Sequence, residues 1–205
     1  MSEKATDILE QSAEIFLRYG VKSITMDELS RQLAISKKTL YQFFTDKTDL
    51  IEKTLHYISN NKGCEFAKIH DMGFNAIEEL FKVYQLAYEM IRKHNPALEF
   101  DLQRFYPSIY RKVKEAHRKN IYNATIENLV KGKTEGYYRQ DLNEEVITKL
   151  HIIRVENFIH NDLLSVEEIH SKDFFEEVFK YHLYGIISPK GLQFIQTHYP
   201  EFIHH

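Results

Sequence analysis

A chain of 205 residues has room for one ordinary domain or two small ones, and its 43% hydrophobic content, with 14 Phe and 13 Tyr, excludes global disorder. Seven Gly and four Pro are too few for a turn-rich all-β chain, and the single cysteine, Cys64, excludes an intramolecular disulfide and a cysteine-rich metal site. A net charge of −3 excludes a DNA binder that works by bulk positive charge, so any nucleic-acid reading must rest on local charge.

Residues 4–19 place Ile8, Ser12, Ile15, Phe16 and Tyr19 on one helical stripe, with Gly20 at the C-cap position. Thr25 opens a Thr-x-x-Glu pattern with Glu28, which predicts a short capped helix through Leu33 whose inward face is Met26, Leu29 and Leu33. After the turn Ala34-Ile35-Ser36, Ser36 is the N-cap of a second short helix, anchored from behind by Leu40, Phe43 and Phe44. Asp46 caps a longer helix through Leu50, Ile51, Leu55 and Ile58, which Asn60, Asn61 and Gly63 weaken without having to end.

A connector over 71–75 precedes an amphipathic helix over 76–93, carried by Ile77, Leu80, Phe81, Tyr84, Tyr88 and Ile91. Asn95-Pro96 and Tyr106-Pro107 each put proline at a first helical position, and the second opens a long helix to about Lys131. Residues 132–143 are polar and turn-rich. Asn143 caps a helix to about Leu164, and Ser171 begins another to about Ile187, which Ser188-Pro189 ends. A short tail helix is expected around Leu192–His198. No convincing period-2 strand and no internal repeat occur. The expected class is all-α, with a helix-turn-helix domain over 1–58 and a larger helical domain over 59–205.

The chemistry concentrates in the second short helix. Lys37, Lys38, Tyr41 and Gln42 share a face opposite Leu40, Phe43 and Phe44. Lysines can donate to guanine O6 and N7 or to phosphates, and glutamine can pair with an adenine edge. The helix start offers N–H donors to a phosphate, and Tyr41 and Lys47 can reach the flanking backbone. Residues 1–58 hold eight Lys and Arg against nine acids, yet between Arg31 and Lys47 the cations Arg31, Lys37, Lys38 and Lys47 face only Asp46. The alternative is a capped helical hairpin with a solvated polar face.

This stretch resembles the TetR (tetracycline-repressor) family of bacterial transcriptional regulators. The resemblance covers about the first 55 residues. It is carried by Phe16, Gly20, Thr25-Met26-Asp27-Glu28-Leu29, Ile35-Ser36-Lys37, Thr39-Leu40-Tyr41, Phe44, Lys47 and Leu50. It implies that Thr25, Tyr41 and Lys47 hold phosphates, while Ser36, Lys37, Lys38, Thr39 and Gln42 stand at the helix start and the base edges. The sequence departs from the pattern twice. Ala34 stands where the turn usually has glycine, and Lys38 replaces a frequent glycine at the DNA face, which suggests an operator preference partly read by Lys38.

For the rest of the chain the resemblance implies a divergent helical domain that dimerises and holds a small molecule. The turn Gly136–Leu142 resembles a loop that such regulators have before the penultimate helix. Val146, Leu150, Ile152, Ile153, Val155, Phe158, Ile159 and Leu163, with Phe174, Phe175, Val178, Phe179, Leu183 and Ile186, broaden two helices past one apolar face, which suits a four-helix dimer interface. Candidate effector residues are Phe66, Tyr84, Tyr88, Phe105, Tyr122, His151, Arg154 and Phe158, with Tyr106, Tyr110, Asn157 and Asn161 near them in pattern. Plain core is the competing reading for the aromatics, and cross-dimer hydrogen bonding for the polar residues.

Glu156 and His160 have spacing for two metal ligands, but no third is identifiable, and His117, His170 and His182 stand isolated. No metal and no cofactor are expected. Arg104 to Lys119 holds six basic residues and one acid, better read as a solvated helix face than as a second nucleic-acid patch. No nucleophile elbow, phosphate-binding Gly loop or Ser-His-Asp set supports an enzyme. The N-terminal residues lack a secretory pattern and no run has membrane-spanning length, so a cytoplasmic protein is expected. The expected partners are double-stranded DNA with a palindromic operator, a small-molecule effector and a second copy in a homodimer. The leading reading is a repressor released by that effector. The alternative is a DNA-binding adaptor whose larger domain binds a protein.

Overall fold

The computed structural model describes residues 2–92, 95–158 and 163–202. Among them the regular elements are helices, joined by one isolated antiparallel bridge between Tyr138 and Ile187. The helices form two compact units, Met1–Glu65 with His94–His117, and Phe66–Lys93 with Arg118–His205.

In the first unit, α1 (Glu3–Tyr19) starts where the Ser2 hydroxyl accepts the Ala5 N–H and stops at Gly20, whose φ of 73° lies in the left-handed region. Next come α2 (Met26–Gln32) and α3 (Lys37–Phe43). Between them Ala34 adopts φ 52°, so this turn takes the left-handed conformation that glycine accepts freely and alanine does not. The long helix α4 (Lys47–Asp71) is capped by Asp46, which accepts the Asp49 N–H at 2.9 Å, and it runs through Asn60, Asn61 and Gly63 without a break. Leu29, Leu40, Phe44, Leu50 and Ile51 are almost completely buried together. Truncating Leu40, with no exposed area, to Ala should cost about 2–5 kcal/mol.

The same unit takes in α6 (Pro96–Phe105) and the start of α7 (Pro107–Thr134), so it extends past the domain boundary expected at residue 58. Leu98, Leu102 and Ile109 join its core. Asn95 joins two helix ends. Its carbonyl oxygen accepts the Ala97 N–H, and its Nδ2 donates to the carbonyls of Leu17 at 2.9 Å and Arg18 at 3.1 Å, which end α1.

The second unit contains α5 (Ala76–Arg92), the later turns of α7, α8 (Glu144–Asn157), α9 (Val166–His170), α10 (Lys172–Ile186) and α11 (Pro189–His198), with a 3-10 turn over Pro200–Phe202. Its buried polar knot is built on Tyr138. The phenol lies within hydrogen-bond distance of the Ala76 carbonyl, 3.0 Å, and of Asn128 Oδ1, 2.9 Å, while Lys131 bridges Glu79 and the Phe74 carbonyl. Burial pushes the Tyr138 phenol well up from its ordinary value. Gly132 is needed beneath the ring, because a Cβ there would lie 2.1 Å from it.

Some boundaries differ from expectation. The helix foreseen to Lys131 continues to Thr134. The one foreseen from Asn143 to Leu164 ends at Asn157, and the unforeseen α9 follows, started by a complete capping box between Ser165 and Glu168. Ile159, His160 and Asn161 lie outside the described residues.

Candidate functional site

The face of α3 is set by its single deeply buried residue. Leu40 points into the core, which turns Ser36, Lys37, Lys38, Tyr41 and Gln42 outward, with Thr39 half-buried. Two of the expected contact residues also cap helices. The Ser36 hydroxyl accepts the Thr39 N–H at 3.0 Å and lies 2.8 Å from the Thr39 hydroxyl. Thr25 accepts the Glu28 N–H at 3.1 Å, but Glu28 turns its carboxylate to Arg31 and Gln32, so the reciprocal half of the expected capping box is not made.

The charge on this face differs from the expected pattern. Lys37 Nζ lies 2.6 Å from Asp27, and this hydrogen bond and the attached charge raise the lysine pKa. Arg31 pairs with Glu28. Lys38 is exposed and makes no side-chain hydrogen bond or ion pair among the described residues. Lys38 therefore presents its charge uncompensated. Lys47 is half-buried and donates to the Lys22 carbonyl at 3.3 Å; burial lowers its pKa and the nearby Asp101 charge partly restores it.

In the second unit, five of the eight candidate effector residues converge on α10. Tyr84 of α5 stacks on Phe175 and Phe179, with centroids 5.0 and 4.2 Å apart, and Tyr88 lies 5.4 Å from Phe175. Phe158, just past α8, meets the edge of Phe175 at 5.6 Å. Arg154 donates to the Val178 carbonyl at 3.1 Å and to His151 Nδ1 at 2.8 Å. The His151 ring lies 4.9 Å from His182. Burial, reinforced by the Arg154 charge, lowers His151 to about 4 and His182 further, and burial lowers Arg154 to about 10. Among the described residues the Tyr84 hydroxyl has no hydrogen-bond partner, and burial raises its pKa.

Three candidates do not join this group. Phe66 and Tyr122 are half-buried and make no ring contact with it. Tyr122 lines an open groove of α7 and α8 with Lys149, Ile152 and Ile153, beside the bidentate Arg118–Glu156 pair. Phe105 belongs to the first unit, where it is 41% exposed and lies under the Lys22 ammonium at 4.8 Å. Its apolar pattern marks a surface cation–π contact there.

Sequence reasoning missed the partners on α10. Phe175 and Phe179 read as dimer-face residues and His182 as isolated, whereas all three meet candidate residues. The signal was the shared spacing of Phe175, Phe179 and His182, which puts them on one helix face. No group of three or more His, Cys, Asp or Glu placed to hold a metal occurs among the described residues, and no described helix is long and apolar enough to cross a membrane.

Residues 8–54 match the family model of the bacterial regulatory proteins, tetR family. No curated relative matches the chain. Among solved structures, a transcriptional regulator from Cytophaga hutchinsonii superposes with a TM-score of 0.70 at 21% identity, over 88% of this chain and 97% of the other. A TetR-family transcriptional regulator from Streptomyces coelicolor gives 0.68 at 17%, over 88% and 94%. One from Agrobacterium tumefaciens gives 0.67 at 15%, over 90% and 98%. Over residues 8–54 the chain thus resembles the bacterial regulatory proteins of the tetR family, and its fold is similar to that of solved transcriptional regulators.

Proposed function

We propose that the chain is a homodimeric, cytoplasmic transcriptional repressor that holds a palindromic operator through α3 and releases it when a small molecule occupies the second unit. The observation that carries this reading is the face of α3, where Lys37, Lys38, Tyr41 and Gln42 stand outward over a buried Leu40. That face has the length and chemistry to enter a major groove, with Lys38 and Gln42 at base edges and Thr25, Tyr41 and Lys47 at phosphates. Dimerisation is supported by the apolar surface left on α8 and α10. Leu150 is 56% exposed, Ile153 57% and Tyr181 83%. Such a stripe is costly in water and suits burial against a second copy.

Effector control is supported by the rings of α5 and the Arg154 guanidinium of α8 that converge on α10, a region whose occupation would be coupled to operator affinity in both directions. The test is selection of bound sequences from random DNA, with and without a metabolite extract. The expected result is an enriched inverted repeat whose recovery falls when the extract is present. Enrichment of no sequence would overturn the DNA reading. An unchanged yield across extracts, with a ligand bound, would overturn the switch.

A further inference from the structure

Lys47 Nζ donates to the Lys22 carbonyl at 3.3 Å, and Thr25, the cap of α2, stands three residues on from Lys22. The proposed function gives Lys47 and Thr25 a phosphate each, so Lys22 adjoins one of them in space and the other in sequence. Its own exposed ammonium stands 4.8 Å from the centre of the Phe105 ring, at the end of α6. The Arg104 guanidinium stands 5.8 Å from the same ring and 5.8 Å from Phe100, one turn back. Tyr106 ties this end of α6 to the start of α4, since burial and then the Asp101 and Asp46 charges push its phenol up. Both of those carboxylates are engaged by backbone N–H groups, of Lys22 and of Asp49.

Among the described residues neither Lys22 nor Arg104 has a carboxylate partner. Two like charges on one ring repel, and the rings stay 41% exposed in Phe105 and 56% in Phe100. A surface cation–π contact adds little to stability, so the arrangement is poorly explained as a fold-holding device. What a ring does provide is orientation without neutralisation. A cation held by a carboxylate, as Lys37 is by Asp27 and Lys112 by Glu52, has its charge cancelled and its donors occupied. One held on a ring keeps its full charge, and its N–H donors stay free for an anion. In the basic run from Arg104 to Lys119, Arg104 alone shares a ring with Lys22.

We propose that Lys22 and Arg104, held on Phe105, form a further phosphate-binding point that carries the DNA contact from the helix-turn-helix onto α6. The occupant is the DNA backbone, because the point adjoins two groups already given to phosphates and its donors suit phosphate oxygens. The inference rests on the DNA reading of α3 and adds an element outside the two short helices. Such a contact positions the domain on the duplex and reads no sequence.

The test uses the full chain with a selected operator and random DNA of equal length, in binding isotherms at several salt concentrations. Lys22→Gln and Arg104→Gln should each lower the log–log salt slope by about one unit and weaken both DNAs alike, by up to about tenfold at about 0.1 M salt. Arg104→Lys, which keeps the charge, should hold the wild-type slope. Lys82→Gln, which removes an exposed cation of the second unit, should hold it too. An unchanged slope in Lys22→Gln or in Arg104→Gln would overturn the proposal, whatever happens to the unfolding temperature. So would an equal loss in Lys82→Gln, which would make the effect one of net charge, or a slope that stays lost in Arg104→Lys. A changed ranking of operator variants in Arg104→Gln would also overturn it, since a phosphate contact reads no sequence. Lys38→Ala separates the two levels. If it changes the ranking while Lys22→Gln and Arg104→Gln bind as wild type, α3 keeps its reading and this point is removed. A wild type that binds no DNA removes both.

Discussion

The Asp101 carboxylate of α6 accepts the Lys22 backbone N–H at 2.8 Å, and the same oxygen would stand 2.6 Å from any Cβ added at Gly20. The turn that leads from α1 to α2 is thus held by a residue 79 positions away. Gly20 is required there for its φ of 73° and for the space beneath the carboxylate. Asp101→Ala should cost about 1–3 kcal/mol in urea unfolding, because it strands the Lys22 N–H. Gly20→Ala should cost at least about 1 kcal/mol. The two share one oxygen, so the double variant should lose less than the sum. Full additivity would show that they do not act on each other.

Ala34 gives a second backbone prediction. Its φ of 52° is the left-handed conformation, where a Cβ costs about 1–2 kcal/mol. Ala34→Gly should leave the free energy of unfolding unchanged or raise it by up to about 1 kcal/mol, the unfolded-state entropy of glycine offsetting part of the relief. Ala34→Val should lower it, since a β-branched residue tolerates positive φ least. A stabilised Ala34→Val would contradict the assigned turn.

On the outward face, Asp27 occupies Lys37. Removing that carboxylate frees a cation beside the proposed groove and removes a negative charge from it. Asp27→Asn should therefore tighten binding to operator and random DNA alike, with a steeper salt dependence, by about one unit of log–log slope for each added phosphate contact. Binding isotherms at several salt concentrations measure this. Weaker binding to all DNA would mean that Asp27 supports the face instead of screening it.

Acid should weaken the second unit through its histidines. His151 is held to about 4 and His182 lower, against an ordinary 6.5, by burial and then by Arg154. Below pH 6.5 the unfolded chain takes up protons that the folded chain refuses. Stability is complete above pH 6.5 and is lost as pH falls toward 4, by about 1 kcal/mol per pH unit for each histidine. His182→Leu should flatten that slope in urea unfolding measured from pH 7 to 5. An unaltered slope would remove His182 from the account.

The first unit was largely legible in the sequence because its signals are local. Thr25, Ser36 and Asp46 each accept an N–H three residues on, as their positions foretold, and Leu40 alone fixes which face of α3 turns outward. Asn95 was legible as a cap of its own helix, but its grip on the α1 carbonyls was not, since nothing local marks a partner 77 residues away. The Lys37–Asp27 pair was hidden for the same reason, because it joins two helices whose facing depends on the turn at Ala34. In the second unit the capping box at Ser165 and Glu168 is a local signal of the same kind, a serine with glutamate three residues on. The aromatic cluster was not readable in advance. Tyr84, Phe158 and Phe175 look alike as core, and only packing decides which ring meets which.

In the proposed function α3 reads DNA and Lys38 reads sequence. The most direct measurement is the affinity of wild type, Lys38→Ala and Lys47→Ala for a selected operator and its single-base variants at one salt concentration. Lys38→Ala should change the ranking of the variants, flattening preference at one or two positions by about 1–3 kcal/mol. Lys47→Ala should weaken every site by a similar factor. Equal losses across all variants for Lys38→Ala, or unchanged binding for both substitutions, would contradict the assignment of α3 as the reading helix.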